Sequence, residues 1–430
     1  MNLKRTTNPL AVLALAALAT ATSGVAQLGY KVDTLPGLGG VSAAVSSIND
    51  RGWASGAADQ PGDVVSHAAL WIDEHLIDLG SLGGPGTNSA VAWGVKANNG
   101  VIVGISDTSA DNPLGEFFSC WPFYASGSPT GKVCHGFRWQ NGVMTALRPF
   151  PGGYNSYATA ANNRGQIVGW AENGVRDPTC NPNFQVLQFR AVIWQPDGTM
   201  QELPPLPGDS TTAATAINDV GQVVGISGSC DVAVGRFSAR RAVLWENGAP
   251  TDLGSLGGVA WNTATAINNQ GTVVGFSNLP PSPAFPPGAR HYQAFIWTRG
   301  TGMQSLGTLP GDIRSVANDI NEQNQVVGTS RGGPNGTRAF LWQNGVMTDL
   351  NTVTLSGSPF LLTGNNINAR GEVGGEAFDP STGDAPAYVA FPTSDSGISA
   401  APGTQAAPAQ PIPEDVRRRL RDRFDADDNS

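Results

Sequence analysis

A block of twelve residues, A-x-A-I-N-x-x-G-x-V-V-G, recurs along the chain and limits what it can fold into. The clearest copies run Ala214–Gly225 and Ala264–Gly275, and weaker ones end at Gly56, Gly104, Gly169, Gly328 and Gly375. The first glycine of the pair falls at Gly52, Gly100, Gly165, Gly221, Gly271 and Gly371, with Asn324 in the sixth of seven copies, at a mean spacing of about 53 residues. Asn is the residue that best tolerates the positive φ that glycine supplies. A period of this length marks a propeller or a solenoid.

Two further blocks follow each copy. One is a short apolar run closing on Trp: His67–Trp71, His135–Trp139, Arg190–Trp194, Arg241–Trp245, Gln293–Trp297 and Arg338–Trp342, with Pro386–Ala390 lacking the Trp. The other reads N-G-V-M-T-D-L-G, as from Asn247 and Asn344. Each repeat therefore predicts four strands, A to D, with hairpin signals Asn-Asp-x-Gly between A and B and Asn-Gly between C and D. Strands B and C are apolar throughout, as in a sheet covered on both faces. The small residues of strand A suit a crowded inner strand, and the closing Trp suits packing between blades. Tyr30–Gly40 matches the D block but precedes the first A strand, whereas the seventh copy has no D after Phe391. The expected fold is all-β: a seven-bladed β-propeller of four-stranded antiparallel blades, its ring closed by pairing the N-terminal strand with the last blade. Such closure removes exposed sheet edges.

The A-F-L-W, N-G-x-M-x-D-L-G and I-N-x-x-G-x-V-V-G blocks resemble the bacterial extracellular HAF repeat family over about Tyr30 to Phe391. The resemblance implies secretion and a repeat fold and assigns no activity. His67 and His135 stand at the family's His, but other copies carry Arg, Gln or Pro there, which argues against a metal or catalytic role.

The ends predict processing and tails. Residues 1–26 read as a secretory signal peptide: Lys4 and Arg5, an apolar Pro9–Ala19, then small residues before Ala26. That run is about half of the roughly 20 residues a membrane span needs, so no transmembrane anchor is expected. The propeller spans 27–392, a Ser/Ala/Pro-rich linker 393–412, and a charged tail 413–430 in which Val416, Leu420 and Phe424 could form a short amphipathic helix among five arginines. The formal charge of −9 becomes −11 without Lys4 and Arg5. That excludes a surface built to neutralise phosphates, so no nucleic-acid partner is expected. A monomeric, secreted or periplasmic protein is.

Function should lie where the repeats differ. The B–C connections carry insertions at 106–133, 171–189, 229–240 and 278–289, which antiparallel strands place on one face together with the D–A loops. All four cysteines lie there, and their placement predicts disulfides Cys120–Cys134 within one loop and Cys180–Cys230 between adjacent blades. The same face gathers Phe117, Phe118, Trp121, Phe123 and Tyr124 in one insertion, and Tyr154, Tyr157 and Trp261 in D–A loops. Of these, Trp121, Tyr124, Tyr154, Tyr157 and Trp261 are candidate platforms for stacking on a sugar or anchoring a protein.

No catalytic residue, metal ligand or cofactor site stands out. Gly328-Thr329-Ser330-Arg331-Gly332 matches G-x-S-x-G but leads into no helix. The glycine-rich L-G-S-L-G-G turns precede no helix that could cradle phosphate, and the density of acids for a calcium loop is missing. Two readings remain. One is a non-enzymatic binding or scaffold module for polysaccharide or a cell-envelope protein. The other is a carbohydrate-active enzyme with carboxylates near the channel mouth, for which Asp209 and Asp312 of the two L-P-G-D corners are candidates.

Overall fold

The computed structural model describes residues 29–393 apart from 74, 92, 95–96, 117–119, 121–123, 125–129 and 231–234. The signal peptide, the linker after Thr393 and the charged tail lie outside the described residues. The seven repeats form seven antiparallel sheets, and in five of them four strands follow in the order A-B-C-D, as in Thr211–Ile217, Val223–Gly228, Arg241–Glu246 and Ala249–Asp252. The second blade has the same order, though its inner strand shrinks to Ser89–Ala90. In the seventh the inner strand is split into Phe360–Leu361 and Asn366–Ile367, and Gly29–Thr34 supplies the outer strand by pairing with Ala387–Thr393. The chain is a seven-bladed β-propeller closed by its first strand.

A bulge in strand A explains the repeated glycine. Pairing of A with B slips by one residue between Val45 and Ser47, Ala158 and Ala160, Ala214 and Ala216, Ala264 and Ala266, and Ala317 and Asp319. At each bulge, and in the seventh blade at Thr363 between the two pieces of strand A, a carbonyl stands over the glycine of V-V-G. A methyl group on Gly56, Gly169, Gly225, Gly275, Gly328 or Gly375 would stand 1.8–2.0 Å from that oxygen, so no side chain fits. The turn position behaves as expected too, Asn324 adopting φ +57° where its counterparts are glycine.

The residue at the bulge stitches neighbouring blades. Oγ1 of Thr159, Thr215 and Thr265 lies 2.7–3.0 Å from the carbonyl of Ala214, Ala264 and Ala317 in the next blade. The Asn of I-N-x-x-G does the same at the A–B turn. Asn162, Asn218, Asn268, Asn321 and Asn368 each donate to the turn carbonyl of the following blade, and Asn368 to Asn49 closes the circle. In the second blade Ala97 occupies this position, and Asn99 reaches Asn162 O instead. The strand-C tryptophans lock the outer layer: Nε1 of Trp71, Trp194 and Trp245 donates to Pro36, Arg148 and Pro204 of the preceding blade. Trp71, Trp170 and Trp245 are among the largest fully buried side chains.

Candidate functional site on the loop face

The four B–C insertions lie on one face, but two are shorter than the sequence suggests. Strands B and C run on past the blade, as Ile102–Asp111 against Lys132–Gln140 and Ile167–Arg176 against Leu187–Trp194, with a register break between Asp107 and Asp111 and between Glu172 and Arg176. Both expected disulfides are present. Cys120–Cys134 ties the second-blade insertion to strand C, and Cys180–Cys230 joins the third blade to the fourth. No cysteine is free among the described residues. Asp177 clusters with Cys180 and Cys230, but the disulfide removes both sulfurs as metal ligands.

Beneath the two disulfides lies a buried polar network that the sequence does not announce. Glu172 is 1% exposed; its Oε2 accepts from the amides of Tyr154 and Asn155, and its Oε1 from Asn155 Nδ2 and Gln185 Nε2, all at 2.9–3.0 Å. Glu116, also 1% exposed, reaches over from the second-blade insertion to accept from the amides of Val186 and Leu187 at 2.7 and 2.6 Å. Burial, with Glu116 as a like-charged neighbour, pushes the Glu172 carboxyl up to about 7. Burial raises Glu116 as well, against the pull of those two amides and of Arg176. Asp107 is raised by burial and faces Tyr124. His135, held below its ordinary range by burial, donates to the Tyr154 carbonyl. The network pins the second-blade insertion to the third blade. Its only sequence signal is that Glu116 and Glu172 fall in otherwise unmatched segments.

The candidate aromatics are dispersed by the fold. Tyr157 lies in strand A of the third blade, fully buried, packing edge-on to Trp170 with ring centroids 4.4 Å apart. It belongs to the core and not to a D–A loop, because strand A begins one residue before it. Tyr124 is 4% exposed in the same core cluster as both Cys120 and Cys134. Neither offers a surface platform. Trp261 is half-buried; Arg290 covers one ring face at 4.8 Å and Nε1 donates to Gly288 O. Tyr154 is exposed, as is Val175 of the third-blade B–C hairpin. Trp121 lies outside the described residues, as do Phe117, Phe118 and Phe123.

Asp209 and Asp312 are structural at their Oδ2 atoms. Asp312 Oδ2 accepts from Ser330 Oγ at 2.7 Å and pairs with Arg338, which also holds Asp349 at 2.9 Å. Asp209 Oδ2 accepts from Ser227 at 2.7 Å and pairs with Arg241 at 2.8 Å. The two acids sit in different blades and do not form a catalytic pair. Ser330 accepts from Leu309 N as well, so the G-x-S-x-G serine is a corner fastener. The histidine of the repeat has a similar part: His67 Nδ1 meets Asp78 of strand D at 2.8 Å, where Arg338 meets Asp349 and Arg241 approaches Asp252. Burial opposes ionisation of Asp78, and hydrogen bonds from His67 and Gly80 overcome it, leaving this carboxyl below its usual range.

The central channel is narrow. Ala160, Ala216, Ala266, Ile217, Ile267 and Thr265 close in on a void of about 20 Å³ that Trp93 and Asp319 also line. At the turn-face mouth a wider recess of about 100 Å³ is ringed by Asp50, Asn98, Asn163, Asp219, Asn269 and Glu322. Each of these side chains accepts from a backbone amide of the blade before it. The ring is another inter-blade fastening.

No protein-family model matches the chain, and no curated protein matches it. Among solved structures it is similar to virginiamycin B lyase from Staphylococcus aureus (TM-score 0.47, 10% identity, covering 84% of this chain and 99% of that one). It is also similar to oligogalacturonate lyase in complex with manganese (0.46, 11%, 85% and 92%) and to the β-propeller domain of the Trilobed protease from Pyrococcus furiosus (0.42, 10%, 78% and 89%). Likeness of this degree says nothing of activity or ligand, and the fold rests on the seven sheets themselves.

Proposed function

We propose that this chain is a binding or scaffold propeller of HAF-repeat type, working outside the cytoplasm, that holds polysaccharide or a cell-envelope protein on its loop face. The observation that carries the reading is the state of the acids. An enzyme of the alternative kind needs two reachable carboxylates near the channel mouth. On the loop face Glu116 and Glu172 are both 1% exposed and Asp209 and Asp312 are held in arginine clamps. Small and aliphatic side chains crowd the channel, and the acids at its turn-face mouth, Asp50, Asp219 and Glu322, are each engaged by a backbone amide of the neighbouring blade. The loop face instead offers what recognition uses: insertions fixed by two disulfides on a rigid ring, with Tyr154 and Val175 exposed at their edge. Paired cysteines fit an oxidising compartment, and no described helix is long and apolar enough to cross a membrane.

The test is a glycan and cell-envelope array probed with the full chain and with a Tyr154→Ala, Val175→Ser variant. Capture that the variant weakens supports the reading, and capture equal for both would move the site off this edge. Release of new reducing ends from any captured glycan would replace binding with catalysis.

A further inference from the structure

A cavity of about 490 Å³ opens on the loop face of the fourth blade, lined by Pro207, Asp209, Arg240, Arg241, Asp252 and Val259 among others. That size lies within the roughly 300–1,000 Å³ of small-molecule sites. In its wall the Asp209 side chain is fully buried and half committed. Oδ2 takes Ser227 and Arg241, whereas Oδ1 has no hydrogen-bond partner. The nearer cation to Oδ1, Arg240 Nη1, stands at 3.9 Å, beyond hydrogen-bond reach. A buried acceptor left unsatisfied needs an explanation, and a ligand donor is one. Arg240 is half exposed, and that long ion pair is the one its guanidinium makes among the described residues.

The sixth blade supplies an internal comparison. Asp312 repeats the clamp and also leaves Oδ1 open, but Thr337 stands where Arg240 does. Arg338 there closes on its strand-D acid at 2.9 Å, against 3.9 Å for Arg241 and Asp252. The fourth blade adds a half-exposed donor fork 3.9 Å from the open acceptor, in the lining of the cavity.

We propose that this cavity is a sugar subsite that reads a vicinal diol of a neutral pyranose, one hydroxyl donating to Asp209 Oδ1 and its neighbour accepting from Arg240. The charges select neutrality: Asp209 and Asp252 balance Arg240 and Arg241, so an ionic ligand meets like charge with no excess of the opposite sign. Adjacent hydroxyls, each donor and acceptor, use both protein groups at once. Val259, 53% exposed at the lip, provides apolar contact for the ring's C–H face. The inference rests on the loop-face binding proposed above and names the ligand class of one part of that face.

The experiment is calorimetric titration of the full chain with methyl α-glucoside, α-galactoside and α-mannoside and with their per-O-methylated forms. At least one free glycoside should bind and its methylated form should not. Arg240→Ala should weaken binding tenfold or more, the loss of a hydrogen bond to a charged group, with an unchanged melting temperature. Arg240→Lys, which keeps the charge but loses the fork, should fall between. The subsite is overturned if none of the three glycosides binds, as a lone water on Asp209 would have it, or if Arg240→Ala binds as the parent does. Array capture by the parent that survives Arg240→Ala sinks this subsite alone; no capture of any kind sinks the loop-face reading with it.

Discussion

Replacing Glu172 by Gln removes one ionisation and keeps the side chain's shape, so it isolates what the buried carboxyl does to stability. In the folded chain this group titrates near 7 in place of 4.5. Between those values the native state holds a proton that the unfolded chain has released, so stability falls as pH rises through the window. A shift of that size is worth roughly 3 kcal/mol, shared with Glu116 because the two titrate as a pair. The destabilisation is absent below about 4.5 and complete above about 7. His135 works the other way: its folded value is lowered, so its contribution to stability is lost as pH falls. The difference between parent and variant cancels that histidine.

The assay is urea unfolding of both proteins, disulfides intact, at half-unit steps from pH 4.5 to 8. At pH 5 parent and variant should be of similar stability, because the protonated Glu172, like the amide, keeps one oxygen free to accept from Tyr154 and Asn155 and carries a donor on its other atom. Between pH 5 and 8 the parent should lose roughly 3 kcal/mol more than the variant, so the curves diverge. Parallel curves across the window would refute the reasoning, by showing that Glu172 ionises alike in both states.

Three further outcomes follow from the packing. Arg338→Ala should cost about 3–5 kcal/mol, since it strands buried Asp312, and should appear as a large drop in urea midpoint; a drop under 1 kcal/mol would mean the clamp is ornamental. Cys180→Ser with Cys230→Ser should cost roughly 4 kcal/mol, more than the roughly 3 of losing Cys120–Cys134, because its loop is longer at a separation of 50 against 14 residues; the reverse order by calorimetry would contradict this. Removing residues 29–34 should expose Ala387–Thr393 as a bare edge and lower the melting temperature sharply, and an unchanged transition would argue against closure by this strand.

The scaffold was legible because its rules repeat. Seven copies of one hairpin pattern specify four strands, and an orphan D block at Tyr30 specifies where the ring shuts. Hidden in the same letters was the reason for the glycine: V-V-G marks a bulge whose carbonyl leaves no room for a side chain, and periodicity alone does not reveal a bulge. The disulfides followed from topology, since equivalent loops of adjacent blades must be neighbours. The aromatics did not follow. Whether Tyr157 or Trp261 faces water depends on a one-residue boundary of strand A and on where Arg290 happens to lie, and neither leaves a mark in sequence. Glu116 and Glu172 meet only because two hairpins of unlike length lean together. Unrepeated segments have no second copy against which to read them.

The circle of asparagines running from turn to turn has a kinetic meaning. An open stack of repeats frays from its ends, one unit at a time. A ring has no end unit, so a blade leaves only when both of its seams give way together, and slow, concerted unfolding is the result. The place to begin is the second blade, where Asn99 in place of Ala97 passes the bond onward and the inner strand is two residues long. That blade also carries the longest insertion, and Glu116 of the insertion bonds to the third blade, so the part of the ring with a two-residue inner strand is held to its neighbour from outside the sheet.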